Sequence, residues 1–546
     1  MNQIEDNKDL KTQKTGSTLM KGVTILAVGG IVSKIFGALF RIPLTNMIGA
    51  EGQSYYGAAY PVYQFFFVIA TSGFPVAISR MVSARIAKGD FINAYKSYKI
   101  AMSATFVISF ASFVMCFLGA DWIASAMGNP EAALSIRAIS IALLFTPIVA
   151  SLRGYFQGQQ NMTPTAISQV GEQMIRVIVG LLLAYLYMNH SLSKAAAGAT
   201  FGASAGMIAA MIMLIFMYYK TRAQREADFR KSVVIQESAR QHFKELISIV
   251  IPITIGSSIL PLMMIIDSMI IMRRLQATGW TLAESKVLYG LISGYCDSLV
   301  NLPVVFIDAI TISLIPAVTT AFVLKNKKDL VKNIRTGLKT MMLIAYPCAI
   351  GLIVLGRPIL YMLYPNKIDE AEMAVVTLQI LSVSIITLSI MRTLSSCLQG
   401  VGKMSLPVIN LGIGAAVKIV ITYVLVGIPS LNINGAAIGS VCAYLVAGFL
   451  NYKGLKRYAS VSLDLKAIFV KPLIAAGLMG VSAGVVYKLM LLVSSSNFIS
   501  TLLSIFVAVA VFFVLIFKTH VVTKDEIEII PKGELIFRLA EKLKLL

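Results

Sequence analysis

FQGQQNMT at residues 156–163 returns 242 residues later as LQGVGKMS at residues 398–405. Each copy joins the end of one long apolar run to the start of another. Arg176 and Lys418 follow the two copies at the same separation of 242 residues. Self-similarity at a long separation is typical of membrane transporters built from two homologous halves. The stretch therefore predicts two lobes, each built from the same set of helices.

The repeat extends toward the N-terminal end of both lobes, with a shorter separation. Tyr56-Gly57 matches Tyr289-Gly290 at a separation of 233 residues, and Ile78-Ser79 matches Ile312-Ser313 at 234. Loop insertions account for the drift. Because an even number of apolar runs separates the copies, both lobes are predicted to have the same orientation in a membrane, as parallel repeats.

Apolar runs of membrane-spanning length occupy most of the chain, whose mean hydropathy is +0.79 and whose residues are 57% hydrophobic. A helix needs ~20 mostly apolar residues to cross the ~30 Å hydrocarbon core of a bilayer. The sequence therefore predicts an all-α integral membrane protein with 14 transmembrane helices, six in each lobe and two more at the C-terminal end. The predicted spans are residues 20–44, 56–81, 100–120, 132–152, 166–188, 195–219, 246–272, 287–315, 340–356, 373–398, 407–427, 433–452, 467–491 and 498–518.

Domain boundaries follow from these spans and from the charged stretch between the lobes. The predicted segments are an N-terminal tail at 1–19, an N-lobe at 20–219, a connector at 220–245, a C-lobe at 246–456, the last two spans at 457–519, and an amphipathic tail at 520–546. Leu535, Leu539 and Leu543 recur at helical spacing among charges in that tail. Such a pattern is typical of a helix lying on a membrane surface.

The charge pattern predicts the orientation of the chain. Lys and Arg number 48 against 26 Asp and Glu, a formal net charge of +22, and the basic residues are concentrated in every second gap between spans. Cytoplasmic loops are enriched in Lys and Arg, so both termini of this multi-pass protein are predicted to lie in the cytoplasm; the resemblance described below implies that the membrane is a bacterial cell (inner) membrane. The basic loops meet anionic lipid. They lack the spacing of a nucleic-acid-binding surface, so no nucleic-acid partner is predicted.

Motifs for catalysis or metal binding are missing from the sequence. The three histidines are far apart, the five cysteines lie inside apolar runs, and no phosphate-binding glycine loop is present. A membrane transferase would need a cluster of acids or histidines at one membrane face. The sequence therefore predicts a transporter rather than an enzyme, with no metal and no cofactor apart from a coupling ion.

Ionisable residues inside the spans are the candidate functional groups, because a charge in hydrocarbon costs ~2.5–3.5 kcal/mol on insertion scales. Lys34 and Arg41 are seven residues apart and share one face of span 1. A water-filled cavity lined by such cations would attract a diphosphate, although Arg41 could also extend to the interface. Glu172 and Arg176, at i and i+4, predict a local ion pair.

Asp267 is the candidate for coupling transport to an ion. It lies in the sequence Ile-Ile-Asp-Ser-Met-Ile-Ile with no basic residue within one turn, so its carboxylate could bind a cation or a proton. Helix capping or a salt bridge to Lys418 is the alternative. Asp297 is a further candidate for a cavity position.

Several short motifs carry a resemblance to a known family. They are GGIVSKIFG at 29–37 with RIP at 41–43, LP at 302–303 with LIPA at 314–317, YP at 346–347, and QG at 157–158 and 399–400. With these motifs the chain resembles the polysaccharide-exporter branch of the multidrug/oligosaccharidyl-lipid/polysaccharide superfamily, over roughly residues 20–520. The resemblance implies two six-helix lobes around a central cavity that opens to either face in turn. It also implies a polyprenyl-tail groove at the last two helices.

The function that the resemblance implies is transport of a lipid-linked glycan. The expected substrate is an undecaprenyl-diphosphate-linked cell-wall precursor, foremost lipid II, moved from the inner to the outer leaflet for peptidoglycan synthesis. The alternatives are export of another lipid-linked oligosaccharide for capsule, teichoic or spore polysaccharide, and cation-coupled multidrug export. The expected partners are the lipid-linked diphosphate substrate, membrane lipids and proteins of cell-wall synthesis.

Residue by residue, the resemblance implies basic substrate contacts at Lys34 and Arg41 and a sodium site at Asp267 and Asn410. The chain departs from the family pattern at Gly414, where relatives have a second acid, and at Ser298 and Asn301, where they have a base and an acid. Only Asp297 of that group is present. Arg392 or Lys418 would then supply the missing positive charge, and coupling would use Na⁺, H⁺ or the membrane potential.

These assignments predict the effect of removing both cations of span 1. A Lys34→Ala/Arg41→Ala double variant is expected to lose transport while its amount in the membrane stays unchanged, because the substrate phosphates lose both of their positive partners. Immunoblotting of membranes alongside a growth assay in a depleted strain measures this. Full activity of the double variant would contradict the assignment.

Overall fold

The computed structural model describes residues 2–233, 237–459, 461, 464 and 466–519, and it describes their side chains except for those of 2–28, 31, 34, 38, 309 and 467. This part of the chain contains helices and no strand. The predicted amphipathic tail at 520–546 and the side chain of Lys34 lie outside the described residues. The chain folds into two compact units, Met1–Arg273 and Arg274–Leu546.

The first unit contains ten helices in its described part and one 3₁₀ turn at Pro130–Ala132. The helices are α1 Asn2–Thr71, α2 Phe74–Ile86, α3 Phe91–Leu118, α4 Ala120–Ala126, α5 Ala133–Ser140, α6 Ala142–Gly158, α7 Thr163–Tyr187, α8 Leu192–Lys220, α9 Arg222–Arg230 and α10 Ala239–Ala277.

The second unit contains eight helices among its described residues, with π-helical turns at Leu291–Cys296 and Lys466–Val470. The helices are α11 Leu282–Gly290, α12 Asp297–Val323, α13 Lys327–Leu363, α14 Ile368–Gly400, α15 Ser405–Val426, α16 Asn434–Ala459, α17 Lys471–Ser494 and α18 Asn497–Lys518.

Thirteen helical stretches in the described residues are long and apolar enough to cross a membrane. Twelve of them each cover one predicted span. The remaining stretch, Ile35–Ile86, covers the end of the first predicted span and all of the second. Within it, α1 is interrupted at Gly49, whose φ of 63° and ψ of −170° are accessible to glycine but strained for other residues. The prediction of an all-helical membrane protein is confirmed.

The internal repeat is visible in the packing of two glycines. A methyl group on Gly158 would lie 2.7 Å from Val82 and 3.0 Å from the Ser79 carbonyl oxygen. A methyl group on Gly400 would lie 2.8 Å from Val318 and 3.1 Å from the Ile315 carbonyl oxygen. Both glycines end a helix, α6 and α14, and the helices that they contact are α2 and α12.

The loops after these glycines also match. Gln160 and Gly402, 242 residues apart, both have positive φ, of 60° and 82°. The packing does correct one of the sequence matches. Sequence identity matched Ser79 to Ser313. In the structure the carbonyl oxygens that contact the two repeated glycines are those of Ser79 and Ile315, so Ser79 corresponds to Ile315, two residues further along the chain. The second half of the chain therefore has extra residues in two places. Some lie before α12, and the others lie between α12 and the QG turn that ends α14.

Small residues bring the next helix pair of each unit into close contact. Methyl groups on Gly202 and Gly206 of α8 would lie 2.5 Å from the carbonyl oxygens of Arg176 and Glu172 in α7. In the second unit, a methyl group on Gly439 of α16 would lie 2.5 Å from Thr422 of α15. Close backbone approach through small residues is the usual way that membrane helices gain packing energy. It holds α7 firmly in place in the first unit.

A polar network joins the start of α10 to α2 and α3. The Arg85 guanidinium donates to Glu237 at 2.6 Å and to Glu245 at 2.8 Å. Lys96 donates to the Glu237 carbonyl oxygen at 2.6 Å, and the buried His242 ring contacts the Ser97 hydroxyl at 2.9 Å. These contacts place α10 in the first unit, whereas the sequence repeat assigns it to the C-lobe. The boundary between the two packed units thus lies one helix further along the chain than the boundary between the two repeats.

Gly158 and Gly400 generate a paired prediction. Gly158→Ala and Gly400→Ala are each expected to lower the free energy of unfolding by about 1–3 kcal/mol, because the new methyl group overlaps a β-branched side chain that cannot move aside. Gly412→Ala in α15 is the matched control, since a methyl group there meets nothing within 4 Å. Thermal unfolding of the detergent-solubilised variants measures the effect. Equal midpoints for all three variants would refute this account.

Candidate functional site

The second half of α1, after the break at Gly49, carries a row of aromatic rings. Tyr56 and Tyr60 are stacked with ring centroids 6.0 Å apart, Tyr60 and Tyr63 are 6.3 Å apart, and Tyr63 and Phe67 are 5.4 Å apart. The spacing of three and four residues places all four rings on one face of the helix. They form one continuous aromatic surface inside the first unit.

Two arginines lie against this surface. The Arg41 guanidinium carbon, from the first half of α1, is 6.0 Å from the centre of the Tyr56 ring. The Arg176 guanidinium carbon, from α7, is 5.3 Å from the centre of the Tyr60 ring, and its Nη2 donates to the Tyr56 hydroxyl at 3.4 Å. A cation over an aromatic face is stabilised by the ring quadrupole. Tyr56 therefore lies between two positive charges that come from different helices.

The predicted ion pair between Glu172 and Arg176 is wrong. Glu172 instead accepts from Arg153 at 2.9 Å, and Arg153 also donates to the Ser168 hydroxyl at 2.9 Å. The side chains of Arg153 and Glu172 are only 14% and 15% exposed, so the pair is shielded from solvent. Glu172 therefore pairs with Arg153 of α6 rather than with Arg176, its neighbour one turn along α7. Within the described part of the chain, Arg176 has no carboxylate at ion-pair distance.

This arrangement is suited to binding an anion. A guanidinium can donate two parallel hydrogen bonds to phosphate oxygens, and these are stronger than neutral hydrogen bonds. Arg41 and Arg176 are both half-buried, which limits competition from water. The cluster of Arg41, Tyr56, Tyr60 and Arg176 is called the arginine–tyrosine site below. Of this site only Arg41 was predicted as a substrate contact. Tyr56, Tyr60 and Arg176 were not, although the spacing in YYGAAYPVY at 55–63 indicates one aromatic face.

Arg392, a predicted cavity residue of the second unit, pairs with the half-buried Asp308 carboxylate of α12. Its charge is therefore neutralised across two helices. Lys418 and Asp297 are half-buried in α15 and α12, and Asp297 directly follows the π-helical turn at Leu291–Cys296. Such turns occur often at functional sites. The cavity roles of these three residues stay predictions.

Asn410, predicted for the sodium site, is a buried member of an amide network. Its Nδ2 donates to Asn451 Oδ1 at 2.8 Å, and Asn451 donates to Ser395 at 2.9 Å and to the Met391 carbonyl oxygen at 3.3 Å. This network joins α14, α15 and α16. Asp267 lies in the first unit, half-buried in α10, so the two proposed sodium ligands belong to different units. Their shared site stays a prediction.

Within the described residues, His, Cys, Asp and Glu form no group of three that could hold a metal ion. Directly before the aromatic row, the Tyr55 hydroxyl oxygen lies 2.7 Å from a Glu51 carboxylate oxygen and 2.5 Å from a Glu131 carboxylate oxygen, and its single hydrogen is donated to one of them. Tyr55 therefore binds two carboxylates at the position near the end of span 2 where relatives were expected to have an acid.

Comparison with known proteins shows what the chain resembles. The family profile described as "Polysaccharide biosynthesis protein" matches residues 19–322, and the MatE profile matches 292–424. "Lipid II flippase MurJ" of Bacillus subtilis (strain 168) is 30% identical, over 86% of this chain and 88% of that protein. "Stage V sporulation protein B" of the same organism is 25% identical, over 95% and 99%.

A solved structure shares the fold. "Lipid II flippase MurJ, inward closed conformation" superposes with a TM-score of 0.68 at 14% identity, covering 90% of this chain and 98% of that one. The resemblance inferred from the sequence motifs is therefore confirmed, and the chain is a multi-pass membrane protein with the helical fold of these transporters.

The Arg153–Glu172 pair generates a stability prediction. Arg153→Gln is expected to lower the free energy of unfolding by about 3–5 kcal/mol, because it leaves a shielded carboxylate without its cation. Arg222→Gln breaks the solvent-exposed pair with Glu226 and is expected to cost less than ~1 kcal/mol. Thermal unfolding in detergent compares the two variants. If both shift the midpoint equally, the Arg153–Glu172 pair contributes no more than a surface pair.

Proposed function

Since this chain belongs to the polysaccharide biosynthesis protein family, we propose that it is a flippase that moves an undecaprenyl-diphosphate-linked cell-wall precursor across a bacterial cell membrane. The proposed direction is from the inner to the outer leaflet, by alternating access, with both termini in the cytoplasm. The proposed substrate is lipid II, for peptidoglycan synthesis. Similarity to "Lipid II flippase MurJ" at 30% identity supports this choice.

The observation that carries the proposal is the arginine–tyrosine site. A diphosphate has several acceptor oxygens and needs more than one cationic donor for charge balance. Arg41 of α1 lies over the Tyr56 ring, and Arg176 of α7 donates to the hydroxyl of the same tyrosine. Arg176 has no carboxylate at ion-pair distance among the described residues. Lys34, on the predicted face of Arg41, would add a third cation. The Tyr56 and Tyr60 hydroxyls are suited to hydrogen bonds with phosphate or sugar oxygens.

Transport also needs a driving force, which we place at Asp267 in α10. A carboxylate at this depth can bind Na⁺ or H⁺, and Asn410 would assist through the predicted sodium site. The membrane potential is the other source of energy, since moving one charge through 100 mV corresponds to ~2.3 kcal/mol. Proteins of cell-wall synthesis would act before and after the flippase as partners.

Two other substrates are supported by specific similarities. Similarity to "Stage V sporulation protein B" over 95% of the chain favours a different lipid-linked glycan, such as a spore, capsule or teichoic precursor. The MatE match at residues 292–424 favours a cation-coupled drug exporter. Drug exporters that bind cationic compounds need acidic sites, whereas the arginine–tyrosine site is basic. The lipid-linked diphosphate therefore fits the site better.

Leaflet-resolved measurement of lipid II tests the function. In cells depleted of this protein and lacking any redundant flippase, lipid II is expected to accumulate and to become inaccessible to an externally added lipid II-cleaving toxin. Arg176→Gln is expected to reproduce this loss, with flipping reduced on the order of tenfold or more because a charge-assisted hydrogen bond is lost. Arg176→Lys, which keeps the charge but not the planar donor fork, is expected to fall between the two.

The control is Arg222→Gln, which removes an exposed arginine outside the site and should leave accessibility unchanged. Unchanged accessibility after depletion would exclude lipid II as the essential cargo and favour another lipid-linked glycan. New drug sensitivity with normal lipid II would instead favour the exporter hypothesis. Normal flipping by Arg176→Gln would show that the arginine–tyrosine site is not needed for transport.

A further inference from the structure

An apolar groove lies in the first unit, and none of the residues that line it belongs to the arginine–tyrosine site. Its volume is about 630 Å³, within the range of ~300–1,000 Å³ typical of ligand pockets. Four helices contribute its walls: α1, α3, α4 and α10. The lining residues used here are Phe65, Phe66, Leu118, Trp122, Ala126 and Met269.

The groove opens outward. Leu118 and Trp122 are 72% and 77% exposed, so their apolar surfaces face the surroundings of the unit. Apolar side chains that a multi-pass membrane protein exposes to the bilayer contact lipid. Trp is enriched where hydrocarbon meets the polar headgroups, because its ring is apolar and its N–H is a donor. Trp122 thus indicates that one end of the groove lies near the headgroup region.

The arginine Arg273 lies at that end. Arg273 is one helical turn beyond the lining residue Met269 on α10. Its Nε donates to the Ala126 carbonyl oxygen at 3.2 Å and its Nη2 to the Ser125 carbonyl oxygen at 2.6 Å. Because Ala126 itself lines the groove, the guanidinium lies on the groove's rim. A guanidinium has five N–H donors, and these two bonds use two of them.

The positive charge of Arg273 is not cancelled locally. Among the described residues it has no carboxylate at ion-pair distance, and its side chain is exposed. The acid of α4, Asp121, is paired with Arg137. The rim therefore combines one uncompensated cation with a hydrocarbon-lined groove. This charge matches a phosphodiester, which carries one negative charge, better than a diphosphate, which carries more.

We propose that this groove binds an acyl chain of an anionic phospholipid from the surrounding bilayer, with the lipid phosphate held by Arg273. The apolar walls bury methylene groups, each contributing ~0.8 kcal/mol. The remaining guanidinium donors bind the phosphate oxygens. Bound there, the lipid contacts α10 beside Ile265 and Met269, on the helix that carries Asp267. The site is independent of the proposed flippase substrate.

The sequence supplies a reporter for this site. The chain contains two tryptophans, Trp122 and Trp280, so Trp280→Phe leaves Trp122 in the groove as the only one. The full-length Trp280→Phe protein is reconstituted into phosphatidylcholine vesicles with increasing mole fractions of lipid brominated on its acyl chains. Brominated phosphatidylglycerol is compared with brominated phosphatidylcholine, and quenching of Trp122 fluorescence is measured.

Half-maximal quenching is expected at a mole fraction about fivefold lower for phosphatidylglycerol, the preference that one arginine near an anionic headgroup provides. Arg273→Gln is expected to abolish this preference, whereas Arg273→Lys, which keeps the charge, retains it. Arg222→Gln is the matched control and should behave like the Trp280→Phe parent, because it removes an exposed arginine far from the groove in sequence and outside its lining.

Equal quenching by the two lipids in the Trp280→Phe parent would overturn the proposal, and this result does not depend on how the Arg273 variants fold. A preference that persists in Arg273→Gln would overturn the role of Arg273. In a third arm, unbrominated undecaprenyl phosphate competes with brominated phosphatidylglycerol. The mole fraction of undecaprenyl phosphate that relieves quenching is compared with that of unbrominated phosphatidylglycerol. If undecaprenyl phosphate acts at a much lower mole fraction, the groove binds a polyprenyl chain and the phospholipid proposal is rejected.

Discussion

The cost of an unpaired polar group in hydrocarbon is the constraint on which the structure depends. A backbone N–H or carbonyl without a partner costs several kcal/mol inside a bilayer, so a spanning segment must satisfy its backbone within its own helix. The described chain accordingly consists of long helices, and the strongest backbone departure within one of them occurs at Gly49. With the backbone satisfied, association of helices depends on close packing. Glycines provide it where α8 meets α7 and where α16 meets α15.

The same constraint sorts the charged side chains into two groups. In the first group, charges from different helices neutralise each other, as in Arg153 with Glu172 and Arg392 with Asp308. In the second, Arg176 lies against the Tyr60 ring, and a contact with an aromatic face leaves the charge of a cation intact. A cation supported in this way can still accept an anionic ligand. This distinction supports a binding role for the arginine–tyrosine site and a structural role for the two ion pairs.

The two halves of the chain share helix packing but differ in their polar interiors. The glycine contacts of Gly158 and Gly400 and the loops that follow them repeat closely. Yet the first unit contains a cationic and aromatic cluster, whereas the second contains the Asn410–Asn451 network and the neutralised Arg392. The backbone contacts at these glycines match between the two halves. The polar side chains differ between the two halves.

The sequence by itself determined the helices, the repeat and the class of protein, because hydrophobic length is a local property: a run of ~20 apolar residues has few alternatives to a membrane helix. Gly49 is already visible in the sequence between the first two predicted spans. Partner choice was decided by the tertiary structure. Sequence spacing predicted an ion pair between Glu172 and Arg176. In the structure Glu172 pairs with Arg153 of α6 instead. Arg176 contacts Tyr56 and Tyr60. Likewise, the sequence repeat assigns helix α10 to the C-lobe, but contacts with Arg85 and Ser97 attach it to the first unit. Such pairings depend on which side chains from distant helices arrive within ~3 Å, and the order of residues along the chain does not contain that information.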